Sequence, residues 1–260
     1  MKLSRRLIPA FAMLLVSAVL MSTASFAWFS MNSEVTATGM TVNAQADTSL
    51  VIAGVDDGNV FASKGTTTVN ATGLMPCTSA NGIDFGKLAD GVKVESAASS
   101  AATWGQGAKF TDVLSTEKTT YVASAVYTLK NIDANPDNAD ASVYVKSITV
   151  DSSSLSKAVR VAIQLGNGTV YVYNAGGGAN TESKVGVKTN GAWDLGTVTY
   201  EPLYKTTSNS LGTLDDNAEV TLTVWVWFEG QDTTCYSDNV PTDGMGIDIV
   251  LTTIASTVAP

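Results

Sequence analysis

Histidine is absent from the 260 residues of this chain. Its absence excludes the Ser-His-Asp and Cys-His nucleophile systems, the HExxH zinc helix and histidine-based pH switching. A pair of carboxylates can still support glycoside hydrolysis without histidine, but the sequence contains no convincing catalytic cluster. We therefore predict that the protein is not an enzyme, and we expect no catalytic residue and no cofactor.

Charged residues are also scarce, at 15% of the chain. Ser, Thr, Gly, Ala and Val are abundant instead, which is typical of strands and tight turns rather than of surface helices. The 15 basic and 24 acidic side chains give a formal net charge of −9. A surface of this sign repels phosphate backbones and anionic lipids, so neither nucleic acid nor a membrane surface is expected as a partner.

Cysteine is limited to Cys77 and Cys235. In an exported protein, two distant cysteines are candidates for one disulfide. Such a bond would close a loop of about 158 residues and would stabilise the fold by roughly 4 to 5 kcal/mol in the chain-entropy treatment. Spacing alone does not establish a pair, so two free thiols are the alternative.

The first 27 residues have the order of an export signal. Basic side chains precede an apolar run of about 15 residues, and a small-residue tripeptide follows: Lys2, Arg5 and Arg6, then 7–21, then Ser25-Phe26-Ala27. The run is shorter than the roughly 18 to 20 residues that span a bilayer as a helix. We expect a signal peptide over 1–27, cleavage after Ala27, secretion to the matrix or cell surface, and no stable membrane anchor after cleavage. An uncleaved anchor is the alternative. Cleavage removes three basic residues, so the charge becomes 12 − 24, or −12.

Strand patterns recur from residue 40 to the end of the chain, with almost no helix signal. Apolar residues alternate with polar ones at Met40, Val42 and Ala44, and again between Val220 and Phe228. About nine strands separated by turn signals predict an all-β fold, an antiparallel jelly-roll-like β-sandwich with loop insertions. We expect one domain over 28–260.

Local signals refine this expectation. A break in the alternation between Val145 and Ile148 predicts a β-bulge. Asn167-Gly168 and Asn190-Gly191 predict hairpin turns, and a strand is predicted to begin at Tyr121. Residues 155–158 favour a helical turn. Residues 64–109 are poor in large apolar side chains and are predicted to be a loop-rich insertion.

The N-terminal segment Ala27-Trp28-Phe29-Ser30, followed by a polar spacer and Val35-Thr-Ala-Thr-Gly39-Met-Thr-Val42, resembles the TasA and camelysin (CalY) family of exported bacterial proteins. Tyr127–Asn131 with the strand around Ile148, and the run Trp227–Asp232, are similar to that family at the level of pattern. The resemblance implies a secreted jelly-roll subunit that assembles into extracellular fibres of a biofilm matrix. It also implies that the N-terminal strand of one subunit completes the sheet of the next.

The predicted assembly strand covers residues 28–46. Its proposed contact residues are Trp28, Phe29, Val35, Gly39, Met40 and Val42. A terminal strand without a hairpin partner can add to an open sheet edge of a neighbour. Such a head-to-tail contact is heterologous and produces an open filament, so a homo-polymer is the expected partner. The alternative is that the segment folds back into its own domain.

One acidic segment is a weak calcium candidate. Oxygen ligands alternate at Asp133, Asn135, Asp137 and Asp140, as at the start of a calcium loop. The sixth position is Asn138 instead of Gly, and the twelfth is Tyr144 instead of Glu. We therefore predict a solvated turn and no metal.

Trp225 and Trp227 share one face of a predicted strand, about 6.5 to 7 Å apart. Exposed, they could contact a neighbouring subunit or stack on sugar rings, as could Trp104. This gives the alternative function, a secreted β-sandwich module that recognises matrix polysaccharide. Buried under a loop, the pair belongs to the sandwich core, and burial is the favoured interpretation.

Overall fold

A computed structural model describes most of the chain from residue 40 onward. The described residues are 40–46, 50–56, 58, 60–69, 74–88, 110–132, 140–150, 154–177, 180–202, 210–232, 234–235 and 245–253. They form strands β1 (Met40–Ala46), β2 (Leu50–Gly54), β3 (Lys64–Val69), β4 (Gly86–Leu88), β5 (Phe110–Asp112), β6 (Ala123–Asn131), β7 (Ala141–Val150), β8 (Val159–Leu165), β9 (Val170–Tyr173), β10 (Thr181–Thr189), β11 (Ala192–Thr199), β12 (Gly212–Leu214), β13 (Glu219–Phe228) and β14 (Gly246–Thr252). Short helical pieces are α1 (Lys118–Tyr121) and η1 (Ser154–Ala158).

Two five-stranded sheets carry the fold, which confirms the all-β class. Sheet A has the order β12-β7-β14-β1-β3, and sheet B has the order β2-β6-β13-β8-β9. Two smaller two-stranded sheets are formed by β4 with β5 and by β10 with β11. Within the described part of the chain, no helix is long and apolar enough to cross a membrane.

The expectation of a purely antiparallel sandwich is wrong at one strand pair. β1 and β14 run parallel, with Thr41 opposite Gly246 and Ala46 opposite Leu251. Every other pair of the two large sheets is antiparallel. Hairpin turns impose the antiparallel direction on strands that are close in sequence, whereas a long connection permits either direction. β1 and β14 are the first and last described strands, so no turn fixes their relative direction.

The inner faces of sheets A and B share one hydrophobic core. Alternate side chains of both sheets are buried there, among them Val42, Ile249, Leu129 and Val224. Tyr127 of β6 is 1% exposed, and its hydroxyl donates a hydrogen bond across the core to the carbonyl of Val42 in β1. This bond ties the two sheets together at the centre of the sandwich.

A second hydrophobic cluster covers the outer face of sheet B. It is built from residues 74–88, residues 110–122 and the β10–β11 hairpin, which together we call the outer layer. Outward side chains of sheet B meet buried side chains of the outer layer: Ala162, Val172 and Trp227 meet Cys77, Phe85, Val122, Val185 and Tyr200. The described residues therefore form three layers, in the order sheet A, sheet B and outer layer. Sheet B is covered on both faces, whereas sheet A is covered on its inner face.

Several local predictions are confirmed. The register of β7 against β14 shifts between Val250 and Leu251, opposite the predicted bulge. Asn190 and Gly191 have φ of 51° and 82° and turn the β10–β11 hairpin. η1 is the predicted helical turn. β13 has the predicted faces, with Val224 inside and Trp227 on the opposite side.

One local prediction needs correction, because Tyr121 ends α1 rather than beginning a strand, and β6 starts two residues later. The predicted hairpin at Asn167-Gly168 forms between β8 and β9, and its left-handed residue is Gly166, with φ of 55°. The loop-rich stretch 64–109 was expected to include short strands, and it contains β3 and β4, while residues 74–88 pack on sheet B. These stretches are held by backbone hydrogen bonds, and their few large side chains leave little sequence pattern from which the strands could be predicted. Residues 89–109 lie outside the described part of the chain.

Candidate functional site

The structure describes residues 40–46 of the predicted assembly strand, whereas residues 28–39 lie outside the described part of the chain. Met40 and Val42 are fully buried in the core of their own sandwich, because β1 lies between β14 and β3. Their assignment to a strand donated to a neighbour is therefore wrong. Trp28, Phe29, Val35 and Gly39 lie outside the described residues. A donated strand, if the chain has one, precedes residue 40.

At the β7 edge of sheet A, the described residues pair with only the first part of the strand. β12 pairs only with Ala141–Val143, and the Leu211 amide donates to the Val143 carbonyl at 2.8 Å. Further along β7, the described residues provide no strand on this side. Val145 and Ile148 still turn inward there, at 1% and 6% exposure. An extended segment placed along this edge would continue the hydrogen-bond ladder that β12 begins.

The other edges of the sandwich are occupied by the chain itself. On one side, β2 is the edge of sheet B and β3 is the edge of sheet A. Ile52 of β2 exchanges two backbone hydrogen bonds with Ala62, which lies just before β3. The Asp56 amide also donates to the Thr66 carbonyl at 3.3 Å. On the opposite side, the Glu201 amide donates to β9 at the Val172 carbonyl, at 2.7 Å. Within the two large sheets, the stretch of β7 beyond β12 is therefore the longest edge that has no described strand beside it.

The tryptophan pair lies under the outer layer. Trp227 is 0% exposed and meets the Phe85 ring edge to face, with ring centroids 5.3 Å apart. Trp225 is half-buried, and the Lys118 ammonium lies 5.8 Å from its ring centroid. The favoured interpretation, burial in the core, is correct for Trp227. A fully buried ring cannot stack on a sugar, and Trp104 lies outside the described residues.

A buried ion cluster fastens the outer layer to sheet B. Arg160 of β8 is 1% exposed, and its Nη2 donates to Glu182 Oε2 at 2.7 Å and to Asp232 Oδ2 at 3.0 Å. Glu182 belongs to the β10–β11 hairpin, and the Tyr200 hydroxyl also donates to it, at 2.9 Å. A desolvated pair of this kind is costly to break, because the remaining charge is left buried without a partner.

Glu229, directly after β13, is the third acid of this cluster. It is 0% exposed, and its Oε2 accepts hydrogen bonds of 3.3 Å from the Ser79 amide and from the Trp227 indole. Burial, together with repulsion from Glu182, raises the pKa of Glu229 to about 7, although hydrogen bonding and Arg160 act in the opposite direction. A carboxyl group with this pKa exchanges its proton near neutrality.

The two cysteines are free thiols, so the disulfide between Cys77 and Cys235 is not formed in the structure. Both are buried, and burial raises the pKa of each thiol well above its ordinary value. Glu229 adds to both shifts. Cys77 Sγ is 3.6 Å from the Tyr121 carbonyl, as expected of a protonated thiol that donates a weak hydrogen bond. These are unreactive structural cysteines in this conformation.

The calcium candidate falls mostly outside the described residues. Asp133, Asn135 and Asp137 are not described, and Asp140 is exposed at the start of the β7 region. In the described ranges, no group of three or more His, Cys, Asp or Glu side chains could hold a metal ion. The prediction that the protein binds no metal stays a prediction.

The sequence interpretation missed Arg160 and noted Glu229 only as part of an acidic loop of low specificity, although each residue leaves a signal of burial. Arg160 interrupts the apolar stretch Val159–Leu165, and Glu229 directly follows the most apolar strand of the chain. A single charge inside a strand buried on both faces needs a buried partner. The partners are distant in sequence, so the pattern indicates that a cluster exists without identifying its members.

Comparison with protein-family models, with curated proteins and with solved structures finds no match for this chain. The assignment to the TasA and camelysin family therefore remains a proposal that depends on the sequence segments quoted above. Two features of the described residues bear on function: the edge of β7 beyond its pairing with β12, and the buried acid cluster around Arg160 and Glu229.

Proposed function

We propose that this protein is a secreted structural subunit of extracellular fibres or biofilm matrix, assembled head to tail by donation of an N-terminal strand. The stretch of β7 beyond β12 carries this proposal, because no described strand lies beside it there, next to inward-facing Val145 and Ile148. The jelly-roll interpretation of the sandwich, the signal peptide at 1–27 and membership of the TasA and camelysin family belong to the same proposal.

The donor is residues 28–39, the segment directly before β1. It supplies apolar side chains at Trp28, Phe29, Val35 and Ala37. Val35 and Ala37 are two positions apart, so they fall on the same face of a strand and suit an edge with a buried side. Trp28 and Phe29 would bury roughly 150 to 250 Å² each in a partner's pocket.

A second copy fits the open edge better than the chain's own segment does. An antiparallel strand beside β7 would run in the same direction as β1 and would end near the level of Ala46. From there the chain would have to return about 20 Å along the sheet and cross about 14 Å, three strand spacings, to reach Met40. That path takes about seven of the 12 residues in 28–39. A donor from another subunit keeps its full length for pairing.

Deletion of residues 28–39 tests the donor. The shortened chain retains Met40, which the core requires, so we expect a folded β-protein by circular dichroism and no filaments by electron microscopy. The intact chain should form filaments, and more readily on acidification, because protonated carboxylates reduce the repulsion between subunits of net charge −12. Filaments formed equally well by the deletion variant would refute strand donation.

Cross-linking tests the acceptor edge. Chains carrying Thr36→Cys are mixed with chains carrying Thr149→Cys on β7 and treated with a short bis-maleimide. We expect covalent heterodimers, whereas Thr197→Cys on the exposed side of β11 is the matched control and should give none. Cys77 and Cys235 are buried and should not react. A chain with both Thr36→Cys and Thr149→Cys that cross-links internally at high dilution would show that the segment folds back on itself.

The alternative function, recognition of matrix polysaccharide, has weaker support. It depended on a tryptophan pair presented to solvent, and Trp227 is completely covered by the outer layer.

A further inference from the structure

Glu229 lies where three parts of the molecule meet. It follows β13 of sheet B, and it accepts a hydrogen bond from the Ser79 amide of the outer layer at 3.3 Å. The Thr78 side chain hydrogen-bonds to it, and Thr78 Oγ1 accepts a 2.7 Å bond from the Gly186 amide of the β10–β11 hairpin. The Gln231 amide donates from the following loop at 3.3 Å. This carboxyl group therefore joins sheet B to residues 74–88 and, through Thr78, to the β10–β11 hairpin.

The cluster has too few cations to pair with Glu229. The groups that face it are Arg160 from β8, Glu182 from β10, Tyr200 after β11, Asp232 and Cys235 from its own loop, and Cys77 from residues 74–88, with Lys118 of α1 beside Cys77. The donated bonds of Arg160 go to Glu182, Asp232 and the carbonyls of Lys157 and Val159. Its Nε has no acceptor among the described residues. Only neutral donors therefore bond to Glu229.

We propose that Glu229 is a proton-dependent latch, which holds the outer layer on sheet B when it is neutral and releases it when it is ionised. An ionised carboxylate without a charged partner is unfavourable in a buried site, and here the cost of burying the charge outweighs the hydrogen bonds that favour the ionised form. Opening of residues 74–88 and the hairpin would admit water and stabilise the ionised form.

The direction of the pH response follows from the two states. With the layer closed, burial raises the pKa of Glu229 to about 7. With the layer open, the solvated carboxyl has its ordinary pKa of 4.5. The open state therefore loses its proton first as the pH rises, and opening becomes more favourable up to about pH 7. Between pH 5.5 and 7.5 the opening equilibrium constant should increase about twentyfold.

Amide hydrogen exchange on the purified protein tests the latch. After correction for intrinsic exchange, the protection of the Ser79 and Gly186 amides should fall about twentyfold between pH 5.5 and 7.5. Amides of β14, such as Ile249, should keep their protection. Glu229→Gln preserves the shape and removes the titration, so its outer layer should show no such pH response.

The matched control is Glu219→Gln, at the other end of the same strand, where the exposed carboxylate pairs with Lys130 at 3.1 Å. This variant should keep the response of the parent. A pH response that survives in Glu229→Gln, or its absence from the parent, would overturn the proposal. If Glu229→Gln does not fold, a carbon-detected titration of the Glu229 carboxyl in the parent decides, since a midpoint below pH 5.5 would also overturn it.

Discussion

The two outer faces of the sandwich differ although both sheets have five strands. The outward side chains of sheet A include polar ones on three strands, namely Thr41 and Asn43 on β1, Asp248 on β14 and Thr149 on β7. Sheet B instead presents apolar side chains such as Ala162 to the second hydrophobic cluster. Sheet A therefore alternates between apolar and polar residues as a half-buried sheet does, whereas the centre of sheet B is buried on both faces. The comparison shows that the molecule has one covered side and one side facing solvent within its described part.

The largest expected effect is that of a charge placed on the covered outer face of sheet B, compared with the same charge on the outer face of sheet A. Ala162→Lys puts an ammonium group into the second cluster, where Ala162 is 0% exposed. A buried unpaired charge costs several kcal/mol, so we expect unfolding of the outer layer or of the whole protein. Thr149→Lys on exposed sheet A should change stability by less than about 0.5 kcal/mol. Urea unfolding measures both. Equal effects would mean that the two faces are equally covered.

Trp227→Ala should be almost as damaging, because it removes the largest buried side chain of the second cluster. Truncation of a buried aromatic residue costs about 3 to 5 kcal/mol. Trp225→Ala is the control on the same strand face, and it should cost less because Trp225 is only half-buried. The difference between the two variants in chemical denaturation measures the contribution of the covered site. A larger loss for Trp225→Ala would contradict the described packing.

Global stability should also respond to pH through Glu229. Its pKa rises from an ordinary 4.5 to about 7 in the folded protein, so the folded state holds the proton over a range in which the unfolded state has lost it. The contribution of Glu229 to the free energy of unfolding is therefore highest below about pH 4.5 and falls as the pH rises to 7, by roughly 3 kcal/mol. We expect this loss in the parent relative to Glu229→Gln, measured in parallel denaturation series. A constant difference between the two proteins across pH 4.5 to 7 would contradict it.

The smallest predicted effect concerns the turn of the β10–β11 hairpin. Gly191 has φ of 82°, a conformation that costs a side-chain-bearing residue about 1 kcal/mol or more. Gly191→Ala should therefore destabilise the outer layer by about 1 kcal/mol. Asn190→Gly, at φ of 51°, should be nearly neutral because glycine also adopts this conformation. Hydrogen exchange of the hairpin amides separates this local effect from a change in the two large sheets.

Elements whose partners are close in sequence were predictable. The β10–β11 hairpin follows from Asn190-Gly191, and β13 follows from the alternation that ends at Phe228. The bulge in β7 leaves a visible break between Val145 and Ile148. In each case the pattern and its structural cause lie within about ten residues of each other, so periodicity and turn chemistry suffice.

Elements that depend on distant contacts were not predictable. Residues 74–88 join sheet B through backbone bonds, such as the Cys77 amide to the Phe228 carbonyl at 3.1 Å, which leave no side-chain pattern. The approach of Gly86 to the Trp193 ring depends on the absence of a side chain. The positions of Arg160 and Glu229 in apolar stretches indicate a buried charged cluster, but the sequence does not identify their partners. The parallel direction of β1 and β14 likewise has no local signal, and the predicted antiparallel sheet was wrong there.

The parallel pairing of β1 and β14 has a mechanical consequence. Both strands run in the same direction, so the chain enters β1 at one end of sheet A and leaves β14 at the opposite end. Tension between residues 40 and 252 therefore pulls the two strands past each other in shear. The bonds along Thr41–Ala46 and Gly246–Leu251 must then break together. Opening the β10–β11 hairpin from its ends breaks bonds one at a time, so single-molecule pulling should find a lower rupture force there. The sandwich is thus built to resist stretching along its strands.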